Sequence, residues 1–481
     1  MEHLERKLKF WSCLAVGIGL VVASGTLVTL GQGMGIAGAG FVIAMACAWI
    51  LQHFSAQTYS ELACMMPTAG GIRSYTRVAM GALPAVVATI SGFLIPNILA
   101  GPAELSIAGS IISENFTPFI NPMIWGVGIL FILTLLNIIG VDIFAKSQIV
   151  FTIVMVTALV GLGVIGLLEM GEAAPVLPEM PFNPLGWKVL GLTALAIWLY
   201  MGIEFVAPMA QETINPNKNI PRAMTAGLII IFIVNLLYGF ASLKYVPIEQ
   251  LATSNAPHIL VAQAVLGKYG ALIIAIVSIF ASASTLNTVI GVVPRMLYGM
   301  GINGELPRFF GLIHKRFKTP FLGIVFMFSI ITLFYVGGIG NAGNIVVFIM
   351  AACCSWLVCY IIAHINVIIL RIRYPEAKRP YRTPLYPLPQ IAGSAGMLYC
   401  ILNIAPEPSM APTIYALTGI LVGITVVFAF IWLKFVVKEP LFKPMSLEEI
   451  KKEWTYENEE TEEEEPTEEV MPNNLEGFPA V

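Results

Sequence analysis

Charge is scarce in this sequence. Asp, Glu, Lys and Arg make up 11% of its 481 residues, against about 25% in an ordinary soluble domain. With 57% of residues hydrophobic, that shortage excludes a soluble enzyme, a nucleic-acid-binding protein and a disordered chain as the main reading. Histidine is scarcer still, at five residues, and cysteine numbers seven. All seven cysteines (Cys13, Cys47, Cys64, Cys353, Cys354, Cys359 and Cys400) sit in or beside apolar runs. None has metal-site spacing, and adjacent Cys353 and Cys354 make no CxxC pair, so they read as small buried hydrophobes. No nucleophile–base pair stands out, which leaves a membrane-embedded enzyme without machinery. No cofactor and no nucleic-acid partner is implied.

Long apolar runs dominate what remains. They fall near 11–32, 38–62, 84–110, 122–140, 147–168, 189–211, 223–245, 269–299, 320–337, 343–370, 390–406 and 412–436. Each is long enough to cross a hydrocarbon core of about 30 Å as a helix, and none alternates as a barrel strand does. The first run lacks a cleavage site and is too long for a signal-peptide core, so it reads as the first span. With the N-terminus inside, inner segments hold 23 Lys and Arg and outer segments hold three: Lys188, Lys244 and Lys268. Such a split follows the positive-inside rule and supports twelve spans, because a missed span would invert every later loop. Both termini are expected in the cytoplasm, on a multi-pass protein of the cell membrane.

The acidic residues are distributed differently. Of 29, 13 lie between Glu448 and Glu476, so residues 1–447 carry a net charge of +8. A tail over 446–481, containing ENEETEEEEPTEE, is too charged to bury anything and is expected to be disordered.

Two spans contain small or helix-breaking centres. The first has Ser24-Gly25-Thr26 near its middle, and the sixth has Gly202 and Glu204 with Pro208 a turn later. Gly costs about 1 kcal/mol in a helix interior and Pro about 3 kcal/mol. Open backbone at membrane depth is tolerated only where it lines a cavity. Paired breaks in two halves of a chain are the sequence pointer to a transporter's binding site; close helix packing is the simpler use of such glycines.

At these residues the chain resembles the amino acid–polyamine–organocation (APC) superfamily of secondary transporters, over roughly residues 10–437. The resemblance is carried by ASGTL in the first span, YSELACMMPTAGGIRSYT from Tyr59 to Thr76, and GIEFVAPMAQETINPNKNIPRAM from Gly202 to Met224. VPRMLYGMGINGELP from Val293 to Pro307 and KRPYRTPLYPLPQIAG before the eleventh span complete it. It implies an all-α protein of twelve transmembrane helices. Helices 1 and 6 are broken, two inverted five-helix repeats cover about 11–168 and 189–370, and two extra helices cover about 390–436. It also implies alternating access around a midplane site. Two departures stand out. Ala23 occupies a place where the family usually has Gly. Met155 falls where proton-coupled symporters of the family carry a lysine, so lysine-based coupling is not expected.

The expected substrate site comprises Ser24, Gly25, Thr26, Asn97, Glu104, Trp198, Tyr200, Gly202 and Glu204. The half-helix N-terminus at Ser24–Thr26 suits a carboxylate, and carbonyls near Tyr200–Gly202 suit an ammonium. Asn97 and Glu104, seven residues apart, share a helix face. An acid at membrane depth costs about 2.5–3.5 kcal/mol, so Glu104 and Glu204 each need a reason: proton relay, cation contact, or bonds to freed backbone. Ser282 and Thr285 are weak sodium candidates, since hard cations take oxygen ligands, although such hydroxyls also bond back to their own helix. His53 and His364 read as packing residues, Glu61 as a gating or helix–loop residue, and Glu212, Lys218 and Arg222 as inner-gate ion-pair partners.

The resulting expectation is a permease moving amino acids as exchanger or proton-coupled symporter. A transporter of polyamines or other organic amines is the alternative, and a transporter-like nutrient receptor is the third reading.

Overall fold

The computed structural model describes residues 6–176, 181–254, 256–339 and 345–452. Among them there are helices and connecting turns but no strand; a single backbone bridge joins Leu8 to Thr213. Eight helical segments are long and apolar enough to cross a membrane, and four shorter apolar ones of 10–17 residues accompany them. Satisfying every backbone group within the segment is the physical reason a chain this apolar folds as helices.

The first run is two helices, α1 (Phe10–Val21) and α2 (Ser24–Ala37), and α3 (Phe41–Met65) follows. Two short helices come next, α4 (Ile72–Met80) and α5 (Ala82–Thr89). A π-turn over Ile90–Leu94 joins α5 to α6 (Ile95–Phe116). Then come α7 (Pro122–Ile139) and α8 (Val141–Leu167).

The sixth run departs most from a regular span. A 3₁₀ stretch over Gly186–Leu192 leads into α9 (Thr193–Ile197). The chain then turns through 198–202 and continues as 3₁₀ helix over Ile203–Glu212. Gly202 has φ of +113°, a left-handed conformation that a side chain disfavours. Pro208 lies within the second 3₁₀ stretch.

The chain continues through α10 (Pro216–Tyr245), α11 (Ile248–Thr253) and α12 (Pro257–Ile302), the last kinked at Leu266 and Gly267. The remaining helices are α13 (Phe321–Val336), α14 (Ile345–Arg373), α15 (Leu388–Leu402), α16 (Ala411–Ile431) and α17 (Leu447–Lys451).

The core runs through α1, α6, α8, α10, α12 and α14. The α1 helix packs on α8, α10, α12 and the Ile203–Glu212 stretch, and α14 packs on α6. Bulky apolar residues face outward on α7, α8 and α16, among them Ile124, Ile132, Ile153, Ile420 and Ile424. Those faces suit lipid rather than water.

The expectation of disorder from residue 446 is corrected at its first residues. Ser446 caps α17 in a capping box: its hydroxyl accepts the Glu449 N–H at 3.2 Å, and the Glu449 carboxylate accepts the Ser446 N–H at 2.9 Å. Those bonds hold the Glu449 carboxyl below its ordinary range. Ile450 is buried, and α17 packs on α4. Residues 453–481, with the acidic run, lie outside the described residues.

Candidate functional site

The first-run break lies between Val21 and Ser24, with Ala23 extended at φ −106° and ψ 165°. Two broken ends therefore face each other in the core, and each leaves backbone groups without helical partners. At the end of α1, Thr26 Oγ1 donates to the Val21 carbonyl at 2.6 Å. Thr285 Oγ1 of α12 reaches the Gly19 and Leu20 carbonyls at 3.3 and 3.2 Å. One turn earlier, Gln148 and Thr152 of α8 donate to the Ala15 carbonyl at 3.3 and 3.1 Å.

The start of α2 has its own problem: Ala23 has no side chain that can cap it. Glu104 of α6 supplies the cap from another helix. Its Oε1 accepts the Gly25 N–H at 2.9 Å, and its Oε2 accepts the Ser282 hydroxyl at 2.7 Å. A carboxylate at a helix N-terminus meets the positive end of the helix dipole. Ser282 also lies 3.1 Å from the Ser24 hydroxyl, which donates to the Ser278 carbonyl at 3.0 Å. Gly25 permits the approach: a Cβ there would stand 2.8 Å from Glu104 Oε1 and displace the carboxylate.

Above this cap is a small pocket with about 30 Å³ of room for water, lined in part by Thr26, Asn97, Glu104, Trp198, Met201 and Trp356. An amino acid does not fit there. Four of the nine expected site residues thus meet at one cavity: Thr26, Asn97, Glu104 and Trp198. Ser24 and Gly25 lie beneath it, bonded to the same cluster. A larger cleft of about 1050 Å³ lies elsewhere, among residues such as Arg6, Lys218, Arg373 and Lys378.

Tyr200, Gly202 and Glu204 are not among the cavity's lining residues. The Tyr200 ring packs against Phe232 of α10, with centroids 6.4 Å apart. Glu204 is fully buried and held by neutral donors. Trp356 Nε1 and the Tyr360 hydroxyl, both on α14, each donate to it at 2.7 Å, and the Gly202 N–H donates at 3.2 Å. Glu204 therefore ties the second break to α14. Trp356 bridges the two regions, since its indole bonds Glu204 while the residue also lines the cavity. Sequence reasoning missed Trp356 and Tyr360. Their only signal was a Trp and a Tyr four apart on one face of an apolar helix.

Ser282 and Thr285 each spend the hydroxyl hydrogen on other groups: Ser282 on Glu104 and Ser24, Thr285 on the carbonyls ending α1. Among the described residues no three His, Cys, Asp or Glu side chains gather as a metal site. His364 bonds Thr58 at 2.9 Å and Ser55 at 3.3 Å, as a packing histidine does, and His53 stacks on Trp49.

At the end rich in basic residues, buried ion pairs join distant segments. Arg73 grips Glu305 through two bonds of 2.6 and 2.9 Å. Arg371 grips Glu61 at 2.8 and 2.7 Å, and Glu61 also accepts the Thr383 N–H at 2.7 Å. Glu212 pairs with Arg295 of α12; Lys218 and Arg222, expected beside it, are not its partners in these bonds.

The family model described as amino acid permease matches residues 8–433. A branched-chain amino acid permease of Bacillus subtilis is 25% identical over 461 residues, covering 89% of this chain and 94% of that protein. The human cystine/glutamate transporter is 26% identical, covering 89% of this chain and 86% of its own length. A methylthioribose transporter of Bacillus subtilis is 24% identical, covering 88% and 93%.

Proposed function

Because the chain belongs to the amino acid permease family, a family of multi-pass membrane transporters rather than enzymes, we propose that it is a secondary transporter working by alternating access. Amino acids are the first substrate class to test, after the relatives' names, and other small organic amines are the second. The proposed architecture has twelve spans, with the α1/α2 span and the Gly186–Glu212 span as the opening members of two inverted repeats and α15 and α16 as extra helices. Both termini lie on the cytoplasmic side of the cell membrane, on the strength of the basic residues at that end.

The observation that carries the reading is the small pocket at the α1/α2 break. Backbone opened within an apolar helix bundle, beside a pocket with polar groups, is what a transporter needs and a membrane-anchored scaffold does not. The ion pairs Arg73–Glu305, Arg371–Glu61 and Arg295–Glu212 then act as the inner closure. They must part before substrate leaves toward the cytoplasm. Removing one partner of a buried pair costs about 3–5 kcal/mol because the other charge is left uncompensated, so each pair must part as a pair, with both ions hydrated.

Coupling runs by exchange, or by a proton carried on Glu104 or Glu204, and not through a lysine, since Met155 is a buried apolar residue of α8. Proteoliposomes loaded with unlabelled substrate should take up labelled substrate faster than empty ones if exchange dominates. A sodium-gradient dependence with no effect of internal substrate would reverse that ranking. No uptake of any amino acid or amine by well-folded protein would remove the transport reading itself.

A further inference from the structure

The N-terminus of α2 is where an unoccupied half-helix would receive a substrate carboxylate. In this chain it already holds one. Glu104 lies so close to Gly25 that a Cβ there would stand 2.8 Å from its Oε1 and oblige the carboxylate to shift, and its two oxygens take the Gly25 N–H and the Ser282 hydroxyl. A second carboxylate brought to the same helix end would face like charge in a water-poor space.

The polar groups around the cavity divide unevenly between donors and acceptors. The hydroxyl donors are spent: Thr26 on the Val21 carbonyl and Thr285 on the Gly19 and Leu20 carbonyls. One Asn97 amide N–H serves the Phe93 carbonyl at 2.6 Å, and the other is left for a ligand or water. The Trp356 indole N–H serves Glu204. Trp198 Nε1, on a residue 9% exposed, is the one buried donor nitrogen of the lining without a partner. Acceptors remain: the Glu104 carboxylate, which meets Ser282 and the Gly25 and Ser24 backbone, keeps about one of its four lone-pair directions, and the Asn97 carbonyl oxygen adds another. Two indole rings, Trp198 and Trp356, stand edge to face at 6.3 Å beside them. Aromatic faces and a carboxylate are the chemistry that binds an organic ammonium.

The geometry points to Glu104 as the specificity-determining residue. It fills the anion position with the protein's own carboxylate, so that the site takes the ammonium group of an organic amine lacking an α-carboxylate. This rests on the transporter reading above and narrows its substrate class. Ser282 and Gly25 are positioning residues that hold Glu104 at the helix end. Membership of the family does not oppose it, since the relatives' names include a methylthioribose transporter as well as amino acid carriers.

The test uses pairs of compounds differing only in the carboxylate: ethanolamine with serine, and butane-1,4-diamine with ornithine. Binding is read by thermal shift on the purified full chain, and transport by uptake into proteoliposomes. Wild-type protein should bind the amine of a pair at least tenfold more tightly than the amino acid. Glu104→Gln should weaken the amine by tenfold or more while leaving or improving the amino acid, inverting the preference. Glu104→Asp, which keeps the charge, should retain the wild-type order and guards against misfolding of the Gln protein. Tighter binding of the amino acid by wild type, no stabilisation by any of the amines, or an unchanged ratio in folded Glu104→Gln protein would each overturn the assignment. Amine binding without uptake would support the site and count against transport instead.

Discussion

Two buried glutamates sit beside the two helix breaks, and they are not equivalent. Glu104 comes from α6, caps α2 through Gly25, and lines a cavity. Glu204 lies within the broken segment itself, faces no cavity, and is surrounded by Trp356, Tyr360 and the Gly202 N–H. Both resolve the same difficulty, an opened backbone at membrane depth. Glu104 does so while lining a small pocket, whereas Glu204 is held in place by neutral donors away from it. The comparison teaches that an acid at a helix break is a ligand-binding group only where some of its lone pairs face open space. One enclosed by donors is a brace, however similar its position along the chain.

The largest effect that would test this contrast is at Gly25. Gly25→Leu should abolish ligand binding, more than a hundredfold, because the new Cβ would meet Glu104 Oε1 at 2.8 Å and Ile349 Cδ1 at 3.3 Å. Normal affinity in a folded variant would mean that the Glu104–α2 contact has no part in the site.

Next in size is Glu204→Ala, which leaves the Trp356 and Tyr360 donors buried without an acceptor. Each orphaned group costs roughly 1–3 kcal/mol, so thermal or denaturant unfolding in detergent should show about 2–6 kcal/mol lost. Ligand affinity of the folded fraction should change little.

Glu104→Ala should be milder for stability and harsher for function. Removing a helix cap costs about 1 kcal/mol, and a water in the cavity can take the Gly25 N–H. If Glu104→Ala destabilised the protein as much as Glu204→Ala, the distinction between cap and brace would collapse.

The smallest effect is expected at Tyr200→Phe. Its hydroxyl lies beside the Asn235 amide without a well-formed hydrogen bond among the described residues, and its ring packs on Phe232. Stability should stay within about 0.5 kcal/mol and binding within twofold. A tenfold loss of binding would return Tyr200 to the site.

Much of this molecule was legible in one dimension because the bilayer imposes one-dimensional rules. A span needs a run of apolar residues, and a break in it needs Gly, Pro or a polar residue. The apolar windows therefore match the observed helices closely, as at 122–140 against Pro122–Ile139. The irregular sixth run was also legible from Gly202 and Pro208, though not the extent of its 3₁₀ geometry. Asn97 and Glu104 line the same pocket, as helical spacing seven apart places them on one face.

Sequence by itself determined which residues must be buried, where the backbone must open, and that two acids lie among apolar neighbours at those depths. Only the tertiary structure decided what each acid touches. Glu104 meets Gly25 across 79 positions and Ser282 across 178, while Glu204 meets Trp356 across 152. Local periodicity reports the face of a helix but not its partner. Whether a buried carboxylate is a brace or a binding group depends on whether those distant partners leave any of its lone pairs facing open space.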